Sequence, residues 1–213
     1  VVEIIVVYGG SFDPINKNHL YIIDTLIKKY APHYFVIIPT GNEYRHKPFL
    51  SSFEIRKKLI EKALLDYNAG VLYEGIFLEK NNTNTRIVIS ELENDNKRVN
   101  KGTKSTLDLI REKYNDVDIF FVMGADNFNK IETWINFETF LLEYNLIIIK
   151  RPSQTLKLDD LDLKFKRIDI IDLNLLGSST DIRIDFLKNK ELLTKRVYDE
   201  IFRLNLYGGD YNE

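Results

Sequence analysis

The chain opens on Val2–Tyr8, an apolar run rich in valine and isoleucine, interrupted only by Glu3, that Gly9 and Gly10 bring to an end. A run of this kind suits a strand buried on both faces of a parallel sheet. Tyr34–Pro39 and Asp118–Met123 read as further buried strands, and Leu146–Lys150 and Ile168–Leu173 as strands. Val71–Leu78 and Thr85–Ser90 are weaker strand candidates. Helical spacing fills the intervals. His19–Tyr30 carries Leu20, Ile23, Leu26 and Ile27 on one face. Ser51–Tyr67 has Ser51 or Ser52 as cap, Glu54 near its start, and Leu59, Ala63 and Leu64 turned inward. Thr103–Tyr114, Phe137–Glu143, Thr180–Lys188 and Glu191–Leu204 complete the helices. Strand and helix therefore alternate. The pattern predicts an α/β protein, Rossmann-like and doubly wound, with a mostly parallel sheet and helices on both faces. It reads as a single domain over 1–213, with a C-terminal helical part at about 178–206. Right-handed crossovers gather the loops that follow the strands along one edge, where such folds bind ligands.

Composition narrows the function classes. With 44% hydrophobic residues in 213, the chain is not a low-hydrophobicity disordered polymer. It has no cysteine, so disulfide scaffolds, thiol catalysis and cysteine zinc sites are excluded. No apolar run approaches the ~20 residues that span a bilayer, and no signal-peptide pattern opens the chain. The expected compartment is the cytoplasm, with the nucleus left open. Thirty basic residues against thirty-two acidic ones give a net charge of −2, which offers no global attraction to nucleic acid. Any bound anion must be held by a local site.

Four segments can build one. The loop Gly9–Leu20 bears two glycines whose uncovered backbone lets amide groups approach an anion, and His19 stands at the start of the next helix. It matches neither the dinucleotide fingerprint nor a Walker A loop, and a Gly-Gly pair also suits a plain turn. Gly177-Ser178-Ser179-Thr180-Asp181-Ile182-Arg183 offers three hydroxyls at a helix start, with Arg183 as a bidentate partner for phosphate; simple N-capping would use the same residues. Gly124 and Asp126 follow a buried strand, where a carboxylate can accept from ribose hydroxyls or cap a helix. Trp134, the only tryptophan, suits the edge of a core or a stacking surface for a base. Arg45, His46 and Lys47 form a basic cluster in the loop after the second strand; Lys47 suits a phosphate clamp or solvated surface.

In this order and spacing the segments resemble the nicotinate/nicotinamide mononucleotide adenylyltransferases, nearest the bacterial nicotinate type. That family's Gly-Gly-Thr/Ser-Phe-Asp-Pro-Ile-His-x-Gly-His-Leu loop stands here as Gly9–Leu20, and its Pro-to-His-Lys loop as Pro39–Lys47 with extra residues. Arg56, Thr103, Thr106, Leu107, Gly124, Asp126, Trp134, Arg151 and Pro152 match further positions, and Ser178–Arg183 matches the closing Ser-Ser-Thr-x-Ile-Arg. The family's first loop histidine is Asn16 here and its glycine is Asn18. Asn16 can give a neutral hydrogen bond but no charge; Asn18 tolerates positive φ.

The resemblance implies AMP transfer from ATP to nicotinate mononucleotide, or to nicotinamide mononucleotide, giving deamido-NAD or NAD and pyrophosphate. It implies Mg²⁺ carried by the ATP phosphates, with no protein metal site. Gly9, Gly10, Ser11 and Phe12 then line the phosphates, His19 stabilises charge on the α-phosphoryl group, and Asn16 assists in place of a histidine. Ser178, Ser179 and Arg183 hold the leaving phosphates, and Gly124 and Asp126 contact the ribose. Lys47 neutralises the mononucleotide phosphate, Trp134 stacks on the pyridine ring, Thr106 reads its substituent, and Thr103 and Arg151 complete that site. Neither nucleic acid nor membrane is an expected partner, and homo-oligomerisation is left open. Competing readings are another adenylyl- or cytidylyltransferase, disfavoured by Trp134 and by length, and a degenerate nucleotide-binding module suggested by Asn16 and Asn18. Nucleic-acid binding through the lysine-rich loops lacks a basic aromatic stripe.

Overall fold

The computed structural model describes residues 2–42, 51–80, 83–95, 101–158 and 164–208. In chain order its elements are β1 (Glu3–Gly10), α1 (Lys17–Tyr30), β2 (Tyr34–Pro39), α2 (Phe53–Ala69), β3 (Val71–Tyr73), β4 (Ile76–Leu78) and β5 (Arg86–Ile89). They continue with α3 (Gly102–Tyr114), β6 (Val117–Gly124), α4 (Ala125–Phe128), α5 (Phe137–Glu143), β7 (Asn145–Lys150), β8 (Arg167–Asp172), α6 (Ser179–Ile184) and α7 (Lys195–Arg203). Among the described residues no helix is long and apolar enough to cross a membrane.

Two compact units emerge. One comprises Val1–Gly10, Ala31–Pro48 and Thr85–Asn174; the second comprises Ser11–Tyr30, Phe49–Asn84 and Leu175–Glu213. The first contains a six-stranded sheet, all parallel, in the order β5-β2-β1-β6-β7-β8. Counting only its own strands this is the doubly wound Rossmann order, and the direction of winding reverses between β1 and β6. Ile5, Val7, Val36, Ile38, Phe121, Met123, Leu146 and Ile148 form a core with Leu107 and Ile110 of α3, Phe128 of α4 and Phe140 of α5. The alternate residues Val6, Phe35, Ile37, Val122 and Ile147 are buried too. Burial on both faces explains the continuous apolar runs, because neither face can be polar.

In the second unit α1 buries Leu20, Ile23, Leu26 and Ile27 as its spacing predicts. Ser52 caps α2 by accepting from the Ile55 amide at 3.3 Å. Lys58 and Lys62 of α2 pair with Glu200 of α7 at 2.9 and 3.4 Å.

Two expectations are corrected here. Val71–Leu78 is not one strand but the antiparallel hairpin β3–β4. Glu74 and Gly75 between its arms both have positive φ, +48° and +76°, the two-residue turn whose twist matches a hairpin. The closing helices are shorter than the apolar spacing suggests. α6 ends at Ile184, and α7 begins only at Lys195. The Asn189 side chain takes the carbonyls of Asp181 and Asp185 at 3.0 and 2.8 Å, offering the backbone an alternative to continued helix.

Candidate active site

The second unit holds Ser11, Phe12, Asn16, His19, Ser178, Ser179 and Arg183 of the residues the sequence singles out. Between Ser11 and Asn16 the chain makes a tight, buried loop. Phe12 is held at φ +49°, an unusual conformation for a bulky residue, and its ring lies 5.2 Å from that of His19. Asn16 caps α1: its Oδ1 accepts from the His19 amide at 3.4 Å, and its carbonyl accepts from Leu20 at 3.3 Å. The Asn16 amide in turn donates to His19 Nδ1 at 3.0 Å. An accepting Nδ1 carries no proton, so the N–H of the neutral ring is on Nε2.

Burial pushes the His19 pKa down from 6.5 to about 4. His19 is therefore a neutral donor at physiological pH. The linkage has a definite sign. The unfolded chain takes up the proton first as pH falls, so the stability owed to this group is complete above about pH 6.5 and is lost toward pH 4. Urea midpoints between pH 4.5 and 7.5 are expected to fall less steeply with acid in His19→Gln than in the parent; equal slopes would contradict the assignment.

α6 meets this loop. Ser178 caps it, accepting from the Asp181 amide at 3.2 Å and donating to Asp181 Oδ2 at 2.7 Å. Ser179 Oγ donates to the Pro14 carbonyl at 2.9 Å and accepts from Asn16 Nδ2 at 3.2 Å. Arg183 donates to the Asp13 carbonyl and to Thr180 Oγ1. Asn16, His19, Ser179 and Arg183, scattered in sequence, are thus joined through this loop by hydrogen bonds, and Ser178 stands next to Ser179 as the α6 cap.

Beneath the loop lies a buried charge network that sequence reasoning missed. Asp13 is fully buried; its carboxylate accepts from the Ser51 amide at 3.1 Å and the Tyr207 hydroxyl at 2.8 Å. Arg56, also fully buried, donates to the carbonyls of Ser51 and Ser11, each at 2.8 Å. Burial pulls the Arg56 pKa down, and the Asp13 charge opposes that shift. Arg56 was matched by position alone; here it braces the loop backbone.

The first unit holds the other candidates. Tyr8 pairs with Val122, so Gly9 and Gly10 end level with Met123 and Gly124 where the winding reverses. A Cβ on Gly9 would stand 3.2 Å from the Phe121 ring, which is the reason a glycine suits this point. Asp126 is exposed and accepts from Gln154 Nε2 at 3.1 Å, while Gln154 Oε1 accepts from the Arg151 amide at 2.9 Å. Gln154 thus joins two predicted positions, and no motif marks it. Thr106 is buried on α3 and its hydroxyl donates to Glu93; Thr103 is half-buried one turn earlier. Trp134 is half-buried at the core edge, its ring 6.2 Å from Phe121 and 5.9 Å from Phe140. Lys47, with Arg45 and His46, lies outside the described residues. Among those described, no group of three or more His, Asp or Glu is placed to hold a metal ion.

A parallel sheet with strand order reversing at β1/β6, and a glycine loop leading into a helix-borne histidine, define a nucleotide-binding α/β protein. Residues 7–184 match the family described as cytidylyltransferase-like. A probable nicotinate-nucleotide adenylyltransferase of Acholeplasma laidlawii is 30% identical over 212 residues, covering 95% of this chain and 97% of that one. A similarly named protein of Clostridium tetani is 26% identical over 212 residues, covering 94% and 97%. Among solved structures, the Plasmodium falciparum nicotinic acid mononucleotide adenylyltransferase complexed with NaAD shares the fold, with TM-score 0.71 at 22% identity over 96% of this chain and 97% of that one. The chain belongs to the cytidylyltransferase-like family and, within it, to the nicotinate-nucleotide adenylyltransferases.

Proposed function

We propose that this chain transfers AMP from ATP to nicotinate mononucleotide, giving deamido-NAD and pyrophosphate in NAD biosynthesis. Nicotinamide mononucleotide serves as a second acceptor and then gives NAD. The observation that carries this reading is the convergence of His19, Ser179 and Arg183 on the Asp13–Asn16 loop by hydrogen bonds, with Ser178 beside them as the α6 cap, in a chain related over nearly its full length to proteins of that name.

A phosphate oxygen of the mononucleotide attacks the α-phosphorus of ATP in line. The new P–O bond forms as the α–β P–O bond breaks, and pyrophosphate leaves with the electron pair. Such a step asks for positioning and charge stabilisation rather than a covalent nucleophile. His19, neutral with its proton on Nε2, donates to the α-phosphoryl oxygens as charge grows there. Asn16 fixes the ring by donating its amide to Nδ1. Gly9, Gly10, Ser11 and Phe12 contribute backbone amides. Ser178, Ser179 and Arg183 hold the leaving phosphates; the two serine hydroxyls are given to Asp181 and to the Pro14 carbonyl, so this role requires that those bonds be shared or exchanged. Gly124 and Asp126 hold the ribose, and Lys47 the acceptor phosphate. Trp134, Thr103, Thr106 and Arg151 form the pyridine side. The Thr106 hydroxyl is given to Glu93, so reading the pyridine substituent requires that this bond be shared or exchanged.

Mg²⁺ neutralises the triphosphate charge when bound. In this proposal the ion arrives on ATP oxygens and keeps most of its waters. We place the reaction in the cytoplasm, where a cysteine-free chain is at no disadvantage. The test follows phosphorus. With ATP labelled at the α position the label is expected in the dinucleotide, and with γ-labelled ATP in pyrophosphate. Release of the α label in any product other than the dinucleotide would overturn the assignment.

A further inference from the structure

Asn18 lies in the first turn of α1, and the structure gives this side chain a full set of partners. It is buried at 5% exposure. Its Nδ2 donates to the Leu176 carbonyl at 2.7 Å and the Gly177 carbonyl at 3.1 Å. Its Oδ1 accepts from the hydroxyl of Tyr73, itself buried, and that hydroxyl accepts from the Leu176 amide at 3.2 Å. The Tyr73 ring lies 5.4 Å from that of Tyr21, one turn along α1. The partners are thus the backbone that leads directly into Ser178 and Ser179. Gly177 has φ +60°, and a Cβ there would meet Leu192 at 2.6 Å, so this turn calls for a glycine, whose backbone freedom has to be held by other contacts.

We infer that Asn18 and Tyr73 are positioning residues that clamp the 176–177 backbone to α1 and so set Ser178 and Ser179 for the β- and γ-phosphates of ATP. Asn16 works in parallel, tying Ser179 Oγ to the α1 cap. The two asparagines are then one device: hydrogen bonds from neutral carboxamides pre-order the phosphate segment. A glycine at 18 would remove the hydrogen bonds to the Leu176 and Gly177 carbonyls and to the Tyr73 hydroxyl, and with them this tie between α1 and the segment. The inference rests on the adenylyltransferase reading and concerns which substrate feels the clamp.

The experiment compares the parent with Asn18→Gly, Tyr73→Phe and Ser179→Ala by calorimetric titration with Mg-ATP and, separately, with nicotinate mononucleotide, beside steady-state kinetics. In Asn18→Gly, Kd and KM for ATP are expected to rise by about tenfold or more, with those for the mononucleotide within twofold of the parent. Tyr73→Phe removes one oxygen, keeps the fold, and is expected to shift the same way by about threefold or more. Adding Asn18→Gly to Ser179→Ala is expected to cost ATP affinity less than the sum of the single changes, because both act through one segment. Unchanged ATP constants in Tyr73→Phe, equal losses for both substrates, or simple additivity would overturn the clamp. A parent that binds ATP yet forms no dinucleotide would overturn the activity reading instead, while the calorimetric comparison would still decide the clamp.

Discussion

Replacing His19 by alanine is expected to lower kcat by at least ~10²-fold, several kcal/mol of transition-state stabilisation, with a much smaller change in the Kd for ATP. The expectation follows from the ring's setting. Nδ1 is occupied as an acceptor, so the imidazole is held by the backbone beside it and presents its proton from Nε2. Burial keeps it neutral down to about pH 4. A neutral donor costs little to hold near ATP in the ground state and gains most when oxyanion charge develops, which places its effect on kcat. His19→Gln, which retains an N–H donor, is expected to keep more turnover than His19→Ala. Single-turnover rates for the three proteins check this. Near-parental rates in His19→Ala would remove the histidine from the mechanism.

Arg56→Met is expected to have the largest effect on stability, about 3–5 kcal/mol, because it leaves the Asp13 carboxylate buried without its neighbouring cation. It also strips the Ser51 and Ser11 carbonyls of their donors. For a chain of this length each kcal/mol corresponds to roughly 2–4 °C in Tm, so a loss on the order of 10 °C is anticipated. Adding Asp13→Asn to Arg56→Met should recover part of that loss by removing the stranded charge. Calorimetric scans at pH 7 measure both. A Tm within 2 °C of the parent in Arg56→Met would show that the network carries little.

The contrast between these two residues marks what sequence could reveal. His19 announces itself by following a glycine loop at a helix start, and the strands β1, β2, β6 and β7 announce themselves because burial on both faces forces continuous apolar runs. The hairpin at Val71–Leu78 hides its turn in Glu74-Gly75, because the pair interrupts an otherwise apolar run by only two residues. Asp13 reads as an ordinary loop carboxylate, since its partners Ser51 and Tyr207 lie 38 and 194 residues away. Tyr73 reaches the Leu176 backbone across 103 residues. Gln154 sits outside every motif yet joins Asp126 to the Arg151 backbone. Periodicity reports burial, and loop composition reports local backbone freedom; neither carries a signal for side chains that meet only after folding. Asn16 and Asn18 read from sequence as departures from a pattern, and only their partners reveal them as constructive.

The most direct test of the account is pyrophosphate release from Mg-ATP, run in parallel with nicotinate mononucleotide and nicotinamide mononucleotide as acceptors. The account expects release that depends on an added mononucleotide, matches dinucleotide formed mole for mole, and gives the higher kcat/KM with the nicotinate form. No release with either acceptor, from protein whose melting temperature rises with ATP, would contradict it and leave a nucleotide-binding protein without this transfer.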